Sequence, residues 1–141
     1  MIDHGKRNLL GVLVDAVDYE AAVQRIAEAA QNRRPFAVTA LAVHGLMTGY
    51  SDAEFGARLN QFDLVVPDGQ PVRWALNAIH KVRLPDRVYG PTLTLKACEI
   101  AEQRGLGIYL YGSTQTVLDQ LIRQLTRRFP SLRISGSEPS K

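Results

Sequence analysis

Cysteine is nearly missing from this chain: Cys98 is the only one among 141 residues. One thiol can close no intrachain disulfide and build no thiolate cage around a metal. It falls in the helix-like run LKACEIAEQ, where a small buried thiol is expected rather than a reactive one. Histidine is sparse too. His4, His44 and His80 lie far apart, and no His/Asp/Glu group has metal-ligand spacing, so neither a dedicated metal site nor a resident cofactor is expected. Long apolar runs are also lacking. MIDHGKRNLL holds nothing resembling a signal peptide, and no stretch approaches membrane-spanning length, so a soluble cytoplasmic protein is expected. Blocks of like charge are absent: 17 Lys and Arg against 14 Asp and Glu give +3, spread along the chain. That mild excess suits phosphates or an anionic surface. A nucleic-acid partner would require a basic stripe interleaved with aromatics, and none occurs. The absence of a G-x-S-x-G elbow argues against an α/β hydrolase.

What is present is an ordinary globular composition, 45% hydrophobic and 22% charged, long enough to bury a core. With no internal repeat and no low-complexity linker, one domain over residues 1–141 is expected. Apolar residues alternate between strand-like and helix-like spacing. Residues 9–14 (LLGVLV) read as the first strand, and Asp18 caps a helix to about Asn32 whose inner face carries Ala22, Val23, Ile26, Ala27 and Ala30. The run 36–43 (FAVTALAV) suits a strand covered on both faces. One or two short helices follow over residues 44–60, broken near Gly49 and Ser51, and residues 63–66 form the third strand.

Pro71 then opens a helix (PVRWALNAIH) burying Val72, Ala75, Leu76 and Ile79, with Trp74 read as core packing. After a loop over 81–90 come a helix to about Arg104 and the strand GIYLY. The turn Gly112-Ser113-Thr114 leads into a long helix lined by Val117, Leu118, Leu121, Leu125 and Phe129. A short strand over 132–134 precedes GSEPSK, read as a closing turn. The pattern predicts an α/β fold with a largely parallel sheet flanked by helices, Rossmann-like and three-layered. Its last strand runs straight into a Gly/Ser/Pro turn, as in a domain cut short.

Open α/β sheets bind ligands beyond the carboxyl ends of their strands. Three polar features fall there and are expected to converge: Thr39, the segment Asp68-Gly69-Gln70, and Gly112-Ser113-Thr114. The last could seat a phosphate through a permissive glycine, two hydroxyls and a helix start, or could simply cap the helix. Asp68 ends a wholly apolar strand in DLVVPDGQPVRW. A turn aspartate and a general base both fit that position: burial raises a carboxyl pKa, whereas a neighbouring helix start keeps the group ionised. His44 follows a strand end and could pack, shuttle protons or bind a ligand; His4 and His80 look like surface residues. Arg87, in LPDRVYGP, could meet a diphosphate or sit in solvent, and Tyr89-Gly90 beside it reads as turn material.

Taken together, LLGVLVDAVDYEAAVQRI, AVTALAVHGLMTGY, LNQFDLVVPDGQPVRWALN, DRVYGPTLTLKACEIAEQRGLGIYLYGST and FPSLRISGSEPS resemble the WecG/TagA/CpsF glycosyltransferase family. The similarity spans nearly all of the chain, in the order of the N-terminal part of the family domain. It implies transfer of an N-acetylhexosamine-type sugar, such as N-acetylmannosamine or its uronic acid, from a UDP-sugar. The implied acceptor is lipid-linked, of the undecaprenyl-diphosphate kind, and serves teichoic acid, common antigen, capsule or exopolysaccharide. The reaction would be inverting and metal-independent, at the inner face of the cell membrane.

The resemblance makes Asp68 the general base, puts Thr39 beside the sugar, and maps the family's Arg-Val-x-Gly arginine onto Arg87; Gly69, Gln70, Gly112, Ser113, Thr114 and His44 are expected to bind substrate with it. Leu41 stands where many members carry Asn. The family's later Gly-x-Pro-x-Gln-Glu motif is not found in these residues, so an incomplete domain is expected. A reading from another class also fits the sequence: a non-catalytic module that binds a nucleotide or self-associates, as a homo-oligomer, through an unpaired strand near 132–134.

Overall fold

The computed structural model describes residues 1–140. The chain divides into two compact units, Met1–Thr94 and Leu95–Lys141, with the boundary inside one helix. The predicted α/β class holds, and among the described residues the strands pair two by two.

The first unit opens with a hairpin absent from the sequence reading. Strand β1 (Asp3–Leu9) pairs antiparallel with β2 (Val12–Val17). The apolar run read as one strand is thus the end of one strand, a two-residue turn and the start of the next. Leu10 and Gly11 both take positive φ (54° and 89°), as a tight hairpin turn twisted to match its strands requires. β1 is polar and buries only Leu9 fully, with no alternation to announce it.

Asp18 caps α1 (Tyr19–Gln31) as expected, accepting from Ala21 N. Strand β3 (Val38–Leu41) is shorter and less covered than the apolar run suggested: only Leu41 is fully buried, and Ala40 is exposed. Helices α2 (Val43–Ser51) and α3 (Ala53–Leu59) break at Asp52, whose carboxylate caps α3 through Glu54 N and Phe55 N. Gly49 and Gly56 let these helices touch; a Cβ on Gly56 would lie 2.5 Å from the Gly49 carbonyl.

Strand β4 (Leu64–Pro67) runs parallel to β3 and is buried at all four positions. Val65 joins a cluster with Leu41, Leu46, Leu59, Val72 and Leu76 on one face. Leu64 and Val66 join Val17, Ala21, Ala22, Val88 and Leu93 on the other. Two-sided burial explains why this strand must be aliphatic throughout. Helix α4 (Gln70–His80) buries Val72 and Leu76. Trp74 is not in the core: it is 59% exposed, because it sits half a turn away from that stripe. Ile79, in the last turn, is likewise 63% exposed.

Helix α5 (Gly90–Arg104) begins in the first unit and ends in the second. There, β5 (Gly107–Tyr111) pairs parallel with β6 (Arg133–Glu138), and α6 (Gln115–Arg128) lies between them in sequence. β6 runs through the stretch read as a closing turn. Gly136 is needed for contact, since a Cβ there would come 2.7 Å from the Tyr109 ring. Ser135 is the extra residue of a register shift and donates to the Ile108 carbonyl. Cys98 is buried with Leu125 and Phe129, and burial pushes its thiol pKa up. Val117 and Leu121, predicted to line α6's inner face, are exposed.

Candidate active site

The carboxyl ends of β3 and β4 are where the first unit gathers its chemistry. Three helices of this unit start there. Ala42, directly after β3, is the N-cap of α2; Gly69, directly after β4 and Asp68, is the N-cap of α4; α5 begins at Gly90. The first N–H groups of a helix have no partner within it, and its N-terminus carries partial positive charge. Neither Ala42 nor Gly69 supplies a side-chain cap.

Gly69 has φ 91° and ψ 142°, a conformation that disfavours a side chain. A Cβ on Gly69 would sit 3.9 Å from the Ala42 Cβ, which places the starts of α2 and α4 side by side. A Cβ on Gly90 would meet Ala40 at 3.2 Å and Asp68 Oδ2 at 3.5 Å. β3, β4 and α5 therefore converge on a spot that glycine leaves open.

Asp68 stands at its centre, half-buried. Its N–H donates to the carbonyls of Leu41 and Val66, both at 3.0 Å, which fixes the backbone across the two strand ends. Its Oδ2 accepts the Gly90 N–H at 3.2 Å, so the carboxylate stands at the start of α5. An aspartate so placed can cap a helix and, with its other oxygen, take a proton from a bound hydroxyl. Thr39, paired with Val65, is half-buried on β3 and shares a strand face with Leu41.

The connection from α4 to α5 is stapled down. Asn77 exchanges two hydrogen bonds with the Leu84 backbone, and Arg73 Nε donates to the Leu84 carbonyl. Gln70 is part of this staple: its amide donates to Asp86 Oδ1 and accepts from Arg73. The N–H of Arg87 also donates to Asp86 Oδ1, at 2.8 Å. Its guanidinium lies 4.7 Å from the centre of the Tyr89 ring and pairs with no carboxylate among the described residues. His44 is exposed in the first turn of α2.

Thr39, Asp68, Gly69, Gln70, Arg87 and His44 thus all belong to the first unit, on or just after β3 and β4 or in the α4–α5 connection. Gly112, Ser113 and Thr114 belong to the second unit, after β5. Gly112 and Ser113 have positive φ (115° and 62°), and Thr114 caps α6 through Val117 N at 3.3 Å. Ser140 ties this turn down by donating to the Ser113 carbonyl. His80, expected at the surface, is partly buried with Nε2 2.7 Å from the Asn8 carbonyl oxygen.

Sequence reasoning missed two supporting features. Gly90, taken for turn material, is the donor to Asp68. A Gly-Pro pair opening a helix could have flagged it, since a residue at that position needs no glycine for conformational reasons alone. Asp15 was overlooked within VLVDAV, although a lone carboxylate in an apolar strand must find partners. It is completely buried. Its carboxylate accepts from Lys6 Nζ (3.0 Å), Arg25 Nη1 (3.0 Å) and Val65 N (2.7 Å), joining β2 to the strand that leads to Asp68.

Comparison with known proteins gives the family. Residues 7–141 match the family model of the Glycosyl transferase WecG/TagA/CpsF family, and the chain belongs to that family. A search of the curated proteins found no match. The family consists of glycosyltransferases, so at that level the chain is a transferase.

Proposed function

From this family membership, we propose that the protein transfers an N-acetylhexosamine-type sugar from a UDP-sugar to a lipid-linked acceptor, with Asp68 as general base. One observation carries the reading: a carboxylate stands at the carboxyl ends of two parallel strands, among three helix starts that two glycines hold open. Asp68 takes the proton of an acceptor hydroxyl as its oxygen attacks the anomeric carbon. The bond from that carbon to the UDP oxygen breaks, the new glycosidic bond forms with inversion, and the electron pair leaves on UDP. The starts of α2 and α4, together with Arg87, offset the charge on the departing diphosphate. Thr39 orients the sugar, and Gln70 and His44 contribute to donor binding.

The acceptor is of the undecaprenyl-diphosphate kind, which brings the protein from the cytoplasm to the inner face of the membrane as a peripheral partner. No described helix is long and apolar enough to cross a membrane. The products are surface polymers of the teichoic acid, common antigen, capsule or exopolysaccharide type. The fold is of the Rossmann-like, three-layered type in this reading.

Release of UDP from UDP-N-acetylhexosamines in the presence of lipid-linked acceptor tests the activity. Asp68→Asn lowers turnover by about two orders of magnitude while UDP binding is kept. Undiminished turnover removes Asp68 from this role. A second reading, a self-associating module without catalysis, draws on the exposed Tyr109 and Tyr111 of β5. A folded oligomer that neither binds nor releases UDP would favour it.

A further inference from the structure

Resting on that donor-site reading, we infer that Tyr19 is a positioning residue, whose phenol oxygen holds the strap carrying Arg87 and Gly90 in register with Asp68. Three consecutive N–H groups of this strap go to three different acceptors. Val88 donates to the Pro67 carbonyl at the end of β4 (2.8 Å), Tyr89 to the Tyr19 hydroxyl (2.9 Å), and Gly90 to Asp68 Oδ2 (3.2 Å). The middle anchor is a side chain 70 positions away in sequence, from the first turn of α1.

Packing and not the hydrogen bond sets where Tyr19 stands. Its side chain packs, partly buried, against the cluster that contains Val88 and Leu93, and Asp18 caps the helix it begins. The anchor is therefore held by more than its one hydrogen bond to the strap. The Tyr89 peptide is what it holds. From that residue hang the ring under the Arg87 guanidinium and, one bond further on, the N–H that meets Asp68. Without the middle anchor the outer two remain, but the peptide between them can rotate. Arg87 then loses the ring that orients it, and Asp68 loses a fixed donor. A guanidinium stacked on an aromatic ring and left unpaired by carboxylates is available for a diphosphate. Tyr19→Phe keeps the ring and its packing and removes the hydroxyl that accepts from Tyr89 N.

The experiment titrates UDP into wild type, Tyr19→Phe, Arg87→Ala and the double variant, and follows amide exchange at residues 88–90 by NMR. Tyr19→Phe is expected to speed exchange at Tyr89 and Gly90. It should weaken UDP binding about threefold to tenfold, the span of one neutral hydrogen bond. In the Arg87→Ala background it should weaken binding by less than about twofold, because the two residues act through one contact. Unchanged exchange, unchanged UDP affinity or fully additive losses each overturn the assignment. A wild type that does not bind UDP overturns the donor-site reading instead, and the exchange data then decide by themselves whether Tyr19 anchors the strap.

Discussion

Strand β4 of the first unit and strand β5 of the second each pair with one parallel neighbour, yet their side chains meet opposite surroundings. Leu64, Val65, Val66 and Pro67 are all buried, the first three split between two clusters on the two faces. In β5, Ile108 and Leu110 turn towards Cys98, Leu125 and Phe129, while Tyr109 and Tyr111 stay 57% and 71% exposed. Charge divides the same way. Residues 1–94 hold ten Lys and Arg against ten Asp and Glu; residues 95–141 hold seven against four, so the whole excess of +3 lies there. A strand covered on both sides has no room for a polar atom without a partner. A strand covered on one side can carry tyrosines, whose hydroxyls stay in water. Asp68 and the residues around it follow the doubly covered strand, where the backbone is held most tightly.

The deepest cut into this contrast is Asp15→Ala. Removing the carboxylate leaves Lys6 and Arg25 without their shared partner and strips Val65 N of its acceptor. The expected loss is about 3–5 kcal/mol. Urea denaturation followed by the fluorescence of Trp74, the chain's single tryptophan, reports on the first unit. A loss below about 1 kcal/mol would mean that the buried ion cluster does not hold β2 to β4.

Leu64→Ala sharpens the comparison within β4. The residue is wholly buried, and the truncation should cost about 2–5 kcal/mol by the same measurement. Its counterpart in the second unit is Tyr111→Ser, on the open face of β5, where the change should stay within about 0.5 kcal/mol. If circular dichroism melts show Tyr111→Ser to be as damaging as Leu64→Ala, the open face of β5 is not open in solution.

Where the pattern was legible, it was legible for local reasons. VVPDG shows an aliphatic strand stopped by Pro67, an aspartate and a glycine before a helix that admits Pro71 in its first turn. The structure has each of these in place. Asp18 and Asp52 cap helices because a short carboxylate reaches N–H groups two or three residues on. Thr114 does so with its hydroxyl, the plainer of the two roles its sequence allowed. The failures arose where residue type was read without the position or pairing that decides its surroundings. Trp74 looked like core because it is large and apolar, but the buried stripe of α4 belongs to Val72 and Leu76. β1 is a strand because β2 pairs with it, not because its residues favour one. Gly136 is in a strand, and not in a turn, because it pairs with Tyr109 in the β5–β6 ladder.

The sequence by itself determined the alternation of strands and helices, the caps, and an aspartate at the carboxyl end of a buried strand. These follow from spacing and from side chains that reach only their chain neighbours. Tertiary structure alone decided that Gly90, 22 residues beyond Asp68, donates to its carboxylate, and that Tyr19 anchors the residue between Val88 and Gly90. It decided also that Asp15 is buried with two cations. Such contacts are set by the packing of whole elements, which brings together atoms that no local spacing relates.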